Sequence, residues 1–203
     1  MTIEMSFSAL CQYIGASTAT ARRNILRQQK YPADGPMLSY VAAEQRIISH
    51  LVDHAPLDSN VEPAHCREAL EMFAGFGWPI RDIVFSRPST YQPKMLIGLV
   101  EISLKPSLLL TDIRGRRGAC KLFFRKAPAE DKPQLEEAVA RKMASLLYYY
   151  GHDFQLESEY APELCSVWCV RDGEIINSTG RLSRLLDDVK ANCAEIELLW
   201  PAV

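Results

Sequence analysis

The sequence predicts an α/β protein of the α+β kind, a central mixed and largely antiparallel sheet flanked by helices. Three observations carry that expectation. Apolar residues alternate through Leu96–Leu104 with the period of a strand. Asp172-Gly173 separates two short apolar runs and signals a hairpin, because both residues tolerate positive φ. Apolar residues recur at helical spacing over Leu135–Tyr150 and Leu182–Trp200. The helix-rich residues 1–93 are expected to form an N-terminal helical region packed on a core made by residues 94–203.

Phe7 to Lys30 divides into two helices at Gly15-Ala16-Ser17, with Ser17 or Thr18 able to cap the second. That second helix carries Ala21, Ile25 and Leu26 on one side and Arg22, Arg23 and Arg27 elsewhere. Leu38 to His54 reads as a helix with Val41, Ile48, Leu51 and Val52 as its apolar positions. His50 and His54 lie four apart there, a spacing that can chelate a metal, but no Glu follows the first His and no third ligand is evident. Pro63 opens a further helix at a first-turn position, where its missing N–H costs nothing. Cys66, Leu70 and Phe73 mark the core side of that helix. Ile83, Val84 and Phe85 read as a short strand in a proline-rich stretch.

The central segment is the most informative. After the strand Leu96–Leu104, Pro106 interrupts, and Ser107 to Thr111 runs apolar again. Asp112-Ile-Arg-Gly-Arg-Arg-Gly118 supplies a turn. The next strand, Ala119 to Lys126, places Ala119, Lys121, Phe123 and Arg125 on one face. A helix follows Pro133, with Leu135, Val139, Met143, Leu146 and Tyr150 inward and Gly151 at its expected end. Strands joined by such short turns are most simply antiparallel neighbours. Leu164–Val170 and Glu174–Asn177 form the Asp172-Gly173 hairpin, and a last helix presents Leu182, Leu185, Val189, Cys193, Ile196 and Trp200, with Ser178 or Thr179 as its cap.

Pro106-Ser107, a strand, a glycine-containing turn, Ala119-Cys120-Lys121 and a helix opening Gln134-Leu135 resemble the core of the PD-(D/E)XK, or restriction-endonuclease-like, superfamily of RecB type. The resemblance implies that one acid follows the proline, that a second precedes the lysine by two, and that both hold a divalent metal while the lysine stabilises developing charge. Here Ser107 and Ala119 stand at the two acid positions, and Lys121 alone matches. A serine hydroxyl beside an alanine methyl does not supply the carboxylate oxygens that a hard cation needs. The resemblance therefore implies a nuclease-like fold without its metal site. Its expected role is a non-catalytic subunit that is nucleic-acid-associated or protein-binding, in DNA processing or in bacterial or phage defence or counter-defence. Arg114, Arg116, Arg117, Lys121 and Arg125 are the residues expected to meet phosphate, and no cofactor is expected.

Two other readings stay open. Glu101 and Asp112 could take over the missing acid positions beside Lys121, giving an active DNA nuclease that uses Mg2+ or Mn2+. Gly15 to Ile25 resembles the turn and recognition helix of a helix-turn-helix, with Arg22 and Arg23 as its DNA contacts.

Composition sets bounds on these readings. The chain has 203 residues, 48% hydrophobic and 24% charged, the balance of an ordinary globular protein. With 23 basic and 25 acidic residues its net charge is -2, so any nucleic-acid surface must be a local patch. No apolar run is long enough to span a bilayer and no signal-peptide layout opens the chain, so a cytoplasmic location and no membrane partner are expected. The six cysteines sit among apolar neighbours and read as reduced core residues. Cys165 and Cys169 are spaced too widely on a strand for the tight knuckles of structural zinc.

Overall fold

The computed structural model describes residues 2–32, 39–78, 81–89, 94–124, 136–154, 160–179 and 183–203, without the side chains of 150 and 152–154. It is an α+β fold with two mixed sheets, one of three strands and one of five. In chain order the elements begin with β1 (Ile3–Ser6), α1 (Phe7–Gly15) and α2 (Ala19–Lys30). Next come α3 (Val41–Asp53), α4 (Ala64–Gly75), β2 (Ile83–Ser86), β3 (Met95–Ile97) and β4 (Val100–Ser103). After β5 (Leu108–Asp112) and β6 (Arg117–Phe123) follow α5 (Glu137–Phe154), a 3-10 turn at Pro162–Leu164, β7 (Ser166–Cys169) and β8 (Glu174–Asn177). The last helix, α6 (Ser183–Leu199), runs into a second 3-10 turn.

The N-terminal helices follow the sequence closely. Thr18 accepts a hydrogen bond from the backbone N–H of Ala21 and starts α2, and Ser6 does the same for α1 through Ala9. On α3 the inward positions are Ala43, Ile47, Ile48 and Leu51, whereas Val41, expected in the core, is 61% exposed. Leu38 and the Gln134-Leu135 pair lie outside the described residues.

The stretch Leu96–Leu104 is a hairpin rather than one strand. Gly98 sits at φ +59, which turns the chain so that β3 pairs antiparallel with β4. An L side chain would be strained there, and only glycine makes the reversal inexpensive. On the far side of β4, β1 pairs in parallel, Ile3 opposite Val100 and Met5 opposite Ile102. Alternation of Ile3 and Met5 inward with Glu4 and Ser6 outward makes β1 a half-buried strand.

The five-stranded sheet runs β2-β5-β6-β7-β8. Its first three strands are antiparallel, β7 is parallel to β6 after the α5 crossover, and the turn around Gly173 returns the chain as antiparallel β8. Period-2 alternation divides the side chains between two cores. Ala119, Phe123, Val167, Cys169 and Ile176 join α1, α5, α6 and the three-stranded sheet. Leu108, Leu110, Cys120, Leu122 and Trp168 join α3 and α4. In the second core Trp168 stacks on Trp78 with ring centroids 4.9 Å apart, and Trp78 stacks in turn on Phe73.

Three expected helix and domain features take a different form. Gly151 lies inside α5 rather than ending it. Ser178 is buried and its hydroxyl donates to Ser145 Oγ at 3.2 Å, while α6 begins only at Ser183. Residues 1–93 supply two outer strands, one to each sheet: β2, where a short strand is expected at Ile83–Phe85, and β1, which is not expected. All six cysteines are free and buried. Among the described residues no helix is long and apolar enough to cross a membrane.

Candidate functional site

Lys121 lies near the end of β6, alongside the start of β5. There Ser107 N–H donates to the Cys120 carbonyl at 2.7 Å, and the backbone N–H of Leu122 donates to Ser107 Oγ at 3.0 Å. These bonds bracket Lys121, so the residue after Pro106 and the lysine two beyond Ala119 stand side by side. The fold brings together what the sequence separates by a turn and two strand lengths.

A third group completes the cluster, and it comes from α3. Glu44 Oε1 accepts from Ser107 Oγ at 2.5 Å and from Lys121 Nζ at 3.2 Å. Ser107 is 3% exposed, and the Lys121 and Glu44 side chains are 21% and 24% exposed. The lysine is thus neutralised by an internal carboxylate in a partly desolvated place, where an ion pair is stronger than on an open surface. Glu44 was missed from the sequence, where it reads as a first-turn helix acid of no special note.

The cluster opens on a cavity of about 310 Å3 lined by Ser8 and Gln12 of α1, by Tyr40, Val41 and Glu44, and by Lys121 to Phe124. Tyr40 stacks on Phe124 at 5.4 Å and meets the His65 ring edge-on, and its buried hydroxyl has no hydrogen-bond partner among the described residues. His65 Nε2 and Cys66 Sγ both donate to the Ser39 carbonyl, which fixes the chain just before Tyr40.

Glu101 and Asp112 do not join Lys121. Glu101 lies on β4 in the other sheet and pairs with Lys94, whose ammonium is held above its ordinary pKa first by Glu101 and then by Glu4. Asp112 closes β5 at the opposite end of the strand from Ser107. Its carboxylate accepts from the backbone N–H groups of Arg114 and Arg116, each at 2.9 Å, and from Arg116 Nε at 2.8 Å. Burial pushes the Asp112 carboxyl upward, but the Arg116 guanidinium and these backbone donors outweigh it and leave its pKa below the ordinary value. The alternative in which either acid swings to Lys121 is disfavoured by geometry, since each is engaged by a cation elsewhere.

The donor set around Lys121 does not suit Mg2+ or Mn2+. Ala119 offers no oxygen, the Ser107 hydroxyl is spent on Glu44, and one lysine-paired carboxylate is a poor substitute for the several oxygens a hard cation requires. Among the described residues there is no group of three or more His, Cys, Asp or Glu able to hold a metal. His50 is engaged through Nδ1 with the Ala55 carbonyl, and His54 terminates α3 in the left-handed conformation.

Comparison with known proteins finds no match. No family model, no curated protein and no solved structure matches the chain. The chemistry must be read from its own residues.

The expected cationic residues fall into three groups. Arg114 and Arg117 are exposed on the β5–β6 hairpin, while Arg116 is half-buried between Asp112 and Glu163. Arg22 donates to Glu195 at 2.6 Å and to the Ala16 carbonyl, with its guanidinium over the Tyr13 ring, so it is a packing residue of the α1–α2 corner. Arg23 is exposed on α2. Arg125 lies outside the described residues.

Proposed function

We propose that the chain is a non-catalytic module on a restriction-endonuclease-like scaffold, nucleic-acid-associated and acting in DNA processing or in defence or counter-defence. The observation that carries this reading is the closed cluster of Lys121, Glu44 and Ser107. The two pieces of the resemblance, Pro106-Ser107 and Ala119-Cys120-Lys121, adjoin in space as a nuclease core requires. Yet the lysine is matched by one internal carboxylate, and the positions that would carry metal-binding acids hold a hydroxyl and a methyl. Such an arrangement lacks the means to polarise a phosphate or activate water.

The nucleic-acid part of the reading is supported by Arg114 and Arg117, exposed together on one hairpin of a chain that is otherwise close to neutral. The helix-turn-helix alternative is weakened because Arg22 is tied to Glu195 and only Arg23 of the pair is exposed.

The test is calorimetry with Mg2+ and Mn2+ together with cleavage and binding assays on single- and double-stranded DNA, for the wild type and for Glu44→Gln. The expected result is no cleavage, no divalent-ion heat and salt-sensitive DNA binding. Metal-dependent cleavage that disappears in Glu44→Gln would overturn the proposal and establish a nuclease whose acid comes from α3.

A further inference from the structure

The β5–β6 hairpin ends in an exposed aliphatic side chain. Ile113 is 79% exposed, although a side chain of that size at a turn gains nothing by facing water. The turn beneath it is fixed. Gly115 N–H donates to the Asp112 carbonyl at 2.9 Å, Asp112 N–H donates to the Arg116 carbonyl at 3.0 Å, and the Asp112 carboxylate holds two further backbone N–H groups. Arg116 then fastens the loop to Glu163 beyond β6. Ile113 is therefore presented on a preorganised support, so little conformational entropy is lost when the tip is inserted into a partner.

The charges around it are asymmetric in availability. Arg114 and Arg117 are exposed and make no ion pair among the described residues, and the β2–β5 register, with Ile83 opposite Asp112, brings exposed Arg81 to the same end of the sheet. Of the nearby acids among the described residues, Asp112 and Glu163 are both engaged by Arg116, and Asp82 is exposed with no cation paired to it there. Three exposed guanidinium groups with no ion pair among the described residues, at the same end of the sheet as one exposed branched aliphatic side chain, are complementary to a polyanion that also offers an apolar slot. Duplex DNA meets that description: phosphates line the minor groove, and a base step can be opened by an apolar side chain.

We propose that this tip is a minor-groove wedge, with Ile113 entering between two base pairs while Arg114, Arg117 and Arg81 contact the flanking phosphates. The proposal rests on the nucleic-acid reading above and names the form of DNA it selects, a duplex whose stack is easily opened. Pyrimidine–purine steps unstack most readily, so binding should favour duplexes that contain them.

The experiment uses the full chain and duplexes carrying 2-aminopurine at successive positions across a TA step, with anisotropy reporting binding and 2-aminopurine fluorescence reporting unstacking. The wild type is expected to bind and to raise the fluorescence at one or two adjacent positions. Ile113→Ala should abolish that rise while retaining the salt dependence of binding. Arg114→Ala with Arg117→Ala should reduce the salt slope by about one per removed phosphate contact. All three positions are exposed, so thermal melting of each variant should match the wild type. DNA binding with no fluorescence rise, or a rise unchanged in Ile113→Ala, overturns the wedge and leaves the nucleic-acid reading standing. No duplex binding at low salt overturns both.

Discussion

Glu44→Gln isolates the charge at the centre of the candidate site. Glutamine keeps the shape of the side chain and an oxygen that can accept from Ser107, so what is removed is the counter-charge of Lys121. At 3.2 Å and an effective dielectric of about 20 the gross attraction is about 5 kcal/mol. Desolvation of both groups offsets much of it, and a charge-assisted bond of this exposure is left with a net contribution of about 2 kcal/mol. For a chain of this length that corresponds to a fall in Tm of about 4–8 °C. The assay is urea unfolding of Glu44→Gln, Lys121→Met and the double variant, combined in a thermodynamic cycle. The double variant should recover stability relative to the sum of the singles, with a coupling of about 1 kcal/mol or more. A coupling below about 0.3 kcal/mol would refute the claim that the lysine is internally neutralised, since independent sites add within that margin.

Gly118→Ala would place a Cβ 2.2 Å from the Leu164 carbonyl oxygen and 2.5 Å from its carbon, an overlap with backbone that cannot swing aside. It should cost about 3 kcal/mol in urea unfolding, at the upper end for overpacking, and wild-type stability would refute it. Burial raises the Cys165 and Cys169 thiols to about 12 and the Cys193 thiol to about 11. Because these native values exceed the unfolded ones, the thiol contribution is intact below pH ~8.5 and is lost as pH rises above it. All six cysteines should resist a thiol reagent until the protein is unfolded, and rapid labelling of the native state would show that a thiol is accessible. Asp112→Asn should lower stability at neutral pH, because the native carboxyl has a depressed pKa and stabilises the fold above its unfolded value. That advantage is lost as pH falls through the native pKa, so acid titrations of the two proteins should converge, and a difference that persists at low pH would contradict the assignment.

Local signals were legible in the sequence where a single residue or a short period decides the outcome. Thr18 as a cap, the break after Gly15, the turn at Gly173 and the burial of all six cysteines required no knowledge of distant contacts. Pairing did require it. Leu96–Leu104 alternates as one strand would, and only the backbone sign at Gly98 reveals the hairpin. The four residues of β1 alternate too, but so short a segment becomes a strand only through β4. Ser107 and Lys121 were found because both fall within a recognisable local pattern. Glu44 belongs to that same cluster and carries no local mark, since its partners lie far along the chain and its helix would fold equally well with the acid in water.

The parallel pairing of Ile3 with Val100 has a consequence for the order of assembly. Residues at the very beginning of this sequence find their strand partner only after Ser103 has been made, so β1 cannot dock during the synthesis of α1 to α4. Closing so long a loop is entropically slow, and the β1–β4 ladder should be among the later contacts to form. Until it does, the apolar flank of β4 is an open template for any extended chain nearby, and the time a nascent molecule spends in that state sets its exposure to mispairing.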